Sequence, residues 1–240
     1  MKRLHLLTFA AALALPSVAS YGQTLISSVP YTITSPGTYL LANNLFYGSA
    51  TGAAITINSA NVVLDFSGHF LASAAASPNN SGVSVNQGPN VTVENGTVDG
   101  FHFGIYFPNG SGVTNNTGDI VENMRITHSA FGIYVYYAVG CLIQNNYING
   151  FNTNYPVGVY LVEGGGNQLI RNRVLNCYDG IAAFSNDSLE SNFIYSCVFG
   201  MDMDYTDKYR FNTTINCATP FSLGTPLTDD NNCPSAVLCV

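Results

Sequence analysis

Asn172, Asn192 and Asn212 stand twenty residues apart, and so do Cys177, Cys197 and Cys217, and Gly180 and Gly200. Three residue types that share one spacing define a structural period. A period near twenty points to a solenoid, in which each repeat is one turn of a coil and buries its apolar face only against its neighbours.

Each repeat opens with glycine and continues apolar–any–apolar. The series runs Gly82-Val83-Ser84-Val85, Gly104-Ile105-Tyr106-Phe107, Gly132-Ile133-Tyr134-Val135, Gly158-Val159-Tyr160-Leu161, Gly180-Ile181-Ala182-Ala183 and Gly200-Met201-Asp202-Met203, with Ala54-Ile55-Thr56-Ile57 one repeat earlier. Alternation with period two makes each a strand whose apolar pair faces inward. The glycine is expected to supply backbone freedom for the preceding turn. A second strand follows at Val91-Thr92-Val93, Ile120-Val121, Leu142-Ile143 and Leu169-Ile170, and leads to Asn95, Asn123, Asn145, Asn172, Asn192 and Asn212. Asparagine at a recurrent turn tolerates left-handed backbone angles and bonds its neighbours through the side-chain amide, so these six are expected to form one structural ladder. The sequons at Asn95 and Asn212 fall on that ladder and are not read as glycosylation sites.

The spacing between glycines varies from 20 to 28 residues. The extra residues cluster at Pro108 to Asp119 and Asn152 to Pro156, where a solenoid places loops on one side. The expected organisation is an N-terminal leader over residues 1–20, a cap over 21–52, a β-helix of about seven coils over 53–217 and a C-terminal cap over 218–240. The stretch Thr32 to Leu41 does not fit the repeat. A strand or short hairpin there would cover the first coil, since an open solenoid end exposes core and unpaired backbone.

The runs Ile33-Thr34-Ser35-Pro36-Gly37-Thr38-Tyr39, Val62-Val63-Leu64-Asp65-Phe66-Ser67-Gly68-His69 and Asn90-Val91-Thr92-Val93-Glu94-Asn95-Gly96-Thr97-Val98 resemble the bacterial right-handed parallel β-helix repeat proteins of the pectate-lyase-like superfamily. The resemblance implies an all-β, single-domain right-handed parallel β-helix. It also implies a place among polysaccharide lyases, hydrolases, epimerases, tailspikes and adhesins. The paired-aspartate and Gly-His-Gly signatures of the superfamily's polygalacturonases are missing from the sequence, as is the Arg-x-Pro-x-x-Arg pattern of its pectate lyases. No catalytic residue is carried over from the resemblance.

The chain opens Met1-Lys2-Arg3, continues with a mostly apolar run to Leu15 and breaks at Pro16 before Ser17-Val18-Ala19. This is the pattern of a secretory signal peptide, too short to span a bilayer, and it implies a secreted or periplasmic protein. No later segment is long and apolar enough to cross a membrane. Removing Lys2 and Arg3 leaves five basic side chains against fourteen acidic ones, a net charge of −9. That excludes nucleic acid and anionic membranes as natural partners. The three cysteines at the twenty-residue spacing are expected as an inward ladder of small thiols, and Cys233 and Cys239 as the better candidates for a disulfide, with each other or with Cys217. The sequence sets no oligomeric state.

With the glycines aligned, the outward positions form two columns. One reads Ser84, Tyr106, Tyr134, Tyr160, Ala182, Asp202, and the other Asn86, Pro108, Tyr136, Val162, Phe184, Asp204. Tyr106, Tyr134, Tyr136, Tyr160 and Phe184 make a candidate strip for sugar rings, whose C–H faces pack on aromatic rings. Stacked tyrosines also stabilise a sheet by themselves. Asp202, Asp204 and Asp207 concentrate three carboxylates in a chain with 9% charged residues, a candidate site for a hard cation such as calcium. Beside them Lys208 is a candidate base and Arg210 a candidate substrate contact, although Glu190, one period earlier, is placed to pair with Arg210. Asp202, Asp204, Asp207 and Lys208 are thus the candidate catalytic set of a β-elimination or hydrolysis. A further acidic column is read as Asp65, Glu94, Glu122, Gln144, Arg171. His69, His102 and His128 share no column and read as turn residues.

Taken together, the expectation is an exported β-helix that recognises or processes an extracellular polysaccharide. The alternative is a non-catalytic surface or structural module of the same fold.

Overall fold

The structure, a computed structural model, describes residues 22–76, 78–108, 116–150 and 155–227. The leader, the tail cysteines and most of the two long insertions lie outside these residues.

All pairing between strands is parallel. Tyr31–Ile33, Thr51–Asn58, Asn79–Gln87, Phe103–Phe107, Phe131–Tyr136, Val157–Val162, Asp179–Phe184, Phe199–Met203 and Thr219–Ser222 lie side by side in a nine-stranded sheet. The remaining strands form a sixteen-stranded sheet that turns a corner. Val91–Asp99 and Ile120–Thr127 run unbroken through that corner and join its two faces. The result is an all-β parallel solenoid with three faces around one core. The seven repeat strands read from the sequence occupy the middle of the nine-stranded sheet, and one strand is added at each end.

The N-terminal segment does not fold across the end as a hairpin. Gln23 pairs in parallel with Thr38, Thr38 with Val63, and Tyr31 with Ile55, so residues 23–47 wind as a further coil. Ile33, Leu41 and Leu45 are buried at the core end, which is why this stretch follows the solenoid although it lacks the glycine signature.

The core is a stack of inward pairs: Ile55 and Ile57, Val83 and Val85, Ile105 and Phe107, Ile133 and Val135, Val159 and Leu161, Met201 and Met203, each at most 1% exposed. Each such side chain contributes about 1.5–3 kcal/mol of transfer free energy. The repeat glycines serve this packing rather than a turn. A Cβ on Gly132 would lie 2.5 Å from the carbonyl oxygen of Gly158, and one on Gly158 would lie 2.3 Å from that of Gly180. Neither glycine has a positive φ, so the constraint is close approach of backbone between coils, not conformational freedom.

Two buried polar ladders hold two different corners, one inside the sixteen-stranded sheet and one where the nine-stranded sheet gives way to it. In the first, the Nδ2 of Asn146 donates to Asn172 Oδ1, that of Asn172 to Asn192 Oδ1, and that of Asn192 to Asn212 Oδ1, each at 3.0 Å. The same oxygens accept backbone N–H groups from the preceding coil. Asn95, Asn123 and Asn145 do not belong to it. They occupy the adjacent position with φ of 61°, 54° and 55°. In the ladder's register their coils present Gly96, Met124 and Asn146 instead. Asn95 is exposed, so the ladder gives no reason to discount its sequon. The second ladder runs Asn167, Asp187, Asp207: Asp187 Oδ1 accepts from the backbone and amide of Asn167, and Asp207 Oδ1 accepts the Asp187 N–H.

Cys177, Cys197 and Cys217 stack at another corner as expected, buried and free. Their thiols donate to the carbonyls of Leu175, Tyr195 and Ile215. Contact with Cys177, together with burial, pushes the Cys197 thiol up to about 12, which keeps it protonated and unreactive.

Candidate functional site

The nine-stranded sheet displays its aromatic residues as one array. Tyr106 pairs in register with Ser84 on one side and Tyr134 on the other, and Tyr134 pairs with Tyr160. The ring centroids of Tyr106 and Tyr134 are 5.4 Å apart and those of Tyr134 and Tyr160 5.0 Å, with planes 18° and 12° from parallel. Tyr136 lies parallel to Tyr134 at 6.3 Å, and Phe184 meets Tyr160 edge-on at 6.1 Å. Two further rings complete the array: Phe103 stacks on Tyr106 at 4.5 Å and on Phe131 at 5.3 Å. Phe103 and Phe131 precede the repeat glycines. They stand two positions before the inward Ile105 and Ile133, so strict alternation predicts them inward, and the sequence alone does not mark them as outward. All these rings are part-exposed.

Burial, then neighbouring phenols, holds the Tyr134 hydroxyl above the ordinary tyrosine range, so it stays a neutral donor and acceptor. The same holds for Tyr106, raised by burial and by Tyr136. His102 meets Phe103 edge-on at 4.5 Å and Phe131 at 5.7 Å. Burial lowers its pKa, so it joins the array as a neutral ring.

The array ends abruptly on both sides. Towards the N-terminus the in-register residues shrink to Ser84 and Thr56. There a groove of about 460 Å³ opens, lined by Thr56, Asn79, Ser81, Ser84 and Asn86 and walled by Phe103, Tyr106 and Pro108. Towards the C-terminus Tyr160 is followed by Ala182 and then Asp202. Asp179 stands beside them, its pKa raised by burial and by Asp202; burial, and then both carboxylates, raise the pKa of Tyr160.

The aspartate cluster read from the sequence does not assemble. Asp202 lies on the nine-stranded sheet and is part-exposed. Asp204 turns into its own loop, where its Oδ1 accepts the Thr206 N–H at 2.7 Å and the Thr206 hydroxyl. Asp207 is fully buried; its carboxylate accepts the backbone N–H groups of Asp187 at 2.7 Å and Asp204 at 3.0 Å. It therefore closes a ladder and does not face solvent with the other two. Among the described residues no three histidine, cysteine or acidic side chains group so as to hold a metal ion. Lys208 and Arg210 lie on the sixteen-stranded sheet, around the corner from Asp202. Arg210 donates to Glu190 Oε2 at 2.7 Å, a coil-to-coil pair at the twenty-residue spacing.

The other acidic column also shifts. Asp65, Glu94, Glu122 and Gln144 are in register, but the next residue is Ile170 and not Arg171. Burial and its two acidic neighbours raise the Glu94 pKa. A second groove, of about 480 Å³, lies on the sixteen-stranded sheet between Phe46, Phe70 and the Asp99–His128 pair, which meets at 2.6 Å.

The fold is shared with known structures. The alginate lyase from Paenibacillus sp. str. FPU-7 is similar over 89% of this chain and 91% of that one, at 13% identity and a TM-score of 0.51. XylC in complex with xylose is similar over 69% of this chain, at 13% identity and a TM-score of 0.44, and the similarity covers 37% of that chain. At such identities the likeness is one of fold. No curated protein matches the sequence. The family model for the right-handed β-helix region matches residues 81–222, more than half of the chain, and the protein therefore belongs to the right-handed parallel β-helix family.

Proposed function

We propose that this protein binds an extracellular polysaccharide along the aromatic array of its nine-stranded sheet. The observation that carries the proposal is the seating of Phe103 and Tyr106 as the wall of a groove whose floor is hydroxyl and amide. Pyranose C–H faces pack on aromatic rings, and sugar hydroxyls need the donors and acceptors that Ser81, Ser84 and Asn86 supply. Recognition is favoured over processing because the candidate catalytic groups are dispersed: Asp207 is buried in a ladder and Lys208 lies on another face. The alginate lyase named above acts on a polysaccharide with this fold, a precedent at the level of fold only.

Export belongs to the same proposal. The leader of residues 1–20 would be removed and the mature chain would act as a secreted or periplasmic protein. The mass of the mature chain from its native host tests this directly.

A structural reading is favoured by one feature, that the rings stack on one another along the sheet. Affinity electrophoresis against a panel of polysaccharides separates the two. Retardation by at least one polymer, lost in Tyr106→Ala, supports recognition. Unretarded migration throughout, with a large loss of melting temperature in that variant, supports the structural module.

A further inference from the structure

We infer that the polymer taken by this face is an uncharged glycan rather than a uronate. The inference rests on the polysaccharide reading above and specifies its ligand by charge.

Every lysine and arginine after Arg3 lies on the sixteen-stranded sheet or in its turns. Arg125 sits over the ring of Tyr147 at 4.5 Å, Arg173 over that of Phe193 at 5.2 Å, and Arg210 pairs with Glu190. Arg171 occupies the turn between Gln168–Ile170 and Arg173–Leu175, and Lys208 opens the strand Lys208–Arg210. The nine-stranded face therefore has no cationic side chain to meet a carboxylate. Its one nearby imidazole, His102, is held neutral by burial.

The charges this face does carry are negative. Asp179 and Asp202 close the C-terminal end of the array, with Asp204 at the edge beyond them. A polymer with a carboxylate on each sugar would bring like charge to these groups and gain no pairing in return. Carboxylate recognition relies on arginine or lysine at short range, and a repelled ligand loses both association rate and affinity. The groove itself offers hydroxyls, amides and rings, which match the groups of a neutral sugar.

The test uses the mature full-length protein in affinity electrophoresis and calorimetry, with neutral glucans, xylans and mannans on one side and alginate and polygalacturonate on the other. At least one neutral polymer is expected to bind, with an affinity that changes little with ionic strength. The uronates are expected to bind at least about tenfold more weakly and to improve as salt screens the face. Asp202→Lys should raise the ratio of uronate to neutral binding. Preferential binding of a uronate by the native protein overturns the inference while leaving the polysaccharide reading intact. Binding of neither class overturns both.

Discussion

Asp207 Oδ1 accepts the backbone N–H of Asp187 at 2.7 Å, so two successive coils place carboxylates in a buried column that begins with the amide of Asn167. The column is a polar ladder inside an apolar solenoid. Each buried acceptor serves the N–H of the coil before it, and the arrangement satisfies groups that packing alone would strand. Asp187 does this incompletely: its Oδ2 has no partner, where asparagine would present an N–H.

Burial pushes the Asp187 carboxyl up to about 7. Below a pH of about 4 the group is protonated in both folded and unfolded chains and adds no pH dependence. As pH rises from there towards 7, the unfolded chain loses the proton first, and stability falls. Above that range the penalty is constant, at most about 4 kcal/mol. Asp187→Asn should therefore raise the melting temperature at a pH of about 8 and leave it nearly unchanged near 4. Melting curves across that range, compared between the two proteins, check it. Equal melting differences at both ends would refute the assignment.

Asn192→Ala should be among the most damaging single changes. It removes the acceptor of both the Asn172 N–H and its amide, and the donor to the Leu169 carbonyl, all in the interior. Stranded buried groups cost about 1–3 kcal/mol each. A loss of at least about 3 kcal/mol in denaturant titration is expected. Asn145→Ala, one residue outside the ladder, should lose far less, since its role is a left-handed turn at φ 55°.

Gly132→Ala tests the close approach between coils. The added methyl would meet the Gly158 carbonyl oxygen at 2.5 Å and Ile148 Cγ2 at 2.6 Å. The carbonyl belongs to the next coil's backbone and has little room to yield. Overpacking of this kind costs roughly 1–3 kcal/mol, and more where backbone must move. Circular dichroism melts should show the drop, with Gly166→Ala, which meets nothing within 4 Å but holds a φ of 70°, as a measure of conformational strain alone.

Tyr134→Ala divides recognition from support. Its ring touches Phe103, Tyr106, Phe131, Tyr136 and Tyr160, and each aromatic pair contributes about 0.5–1.5 kcal/mol. Some loss of stability is therefore expected. At a temperature where the variant is still folded, polysaccharide binding should fall at least about tenfold. Unchanged binding at that temperature would assign the array to support.

The sequence is most legible where identical residues recur at the fixed period. Cys177, Cys197 and Cys217 stack because each meets the same corner in successive coils of equal length. The asparagines before residue 150 are harder to read, because a left-handed turn and a buried ladder are adjacent and both favour asparagine. The pairing of Gln144 with Ile170 and of Tyr147 with Arg173 shows that Asn146, not Asn145, shares a column with Asn172. Asp207 was legible in principle. Asn167, Asp187 and Asp207 also stand twenty residues apart, a column hidden by its mixed residue types. Read by local alternation alone, the same aspartate passes for a solvent ligand. Phe103 and Phe131 illustrate the other limit: which way a side chain points depends on how tightly the next residue's backbone packs against the neighbouring coil.

In the C-terminal half the two polar ladders and the thiol stack all recur at the same interval, with each coil's donors answered by the next. A tandem duplication of one such unit would regenerate every one of these bonds. The aromatic array lies mainly in the coils before it, where the intervals are longer. The molecule can thus lengthen like a ruler at its C-terminal end by copying its own gene segment, while the aromatic array in the preceding coils changes separately.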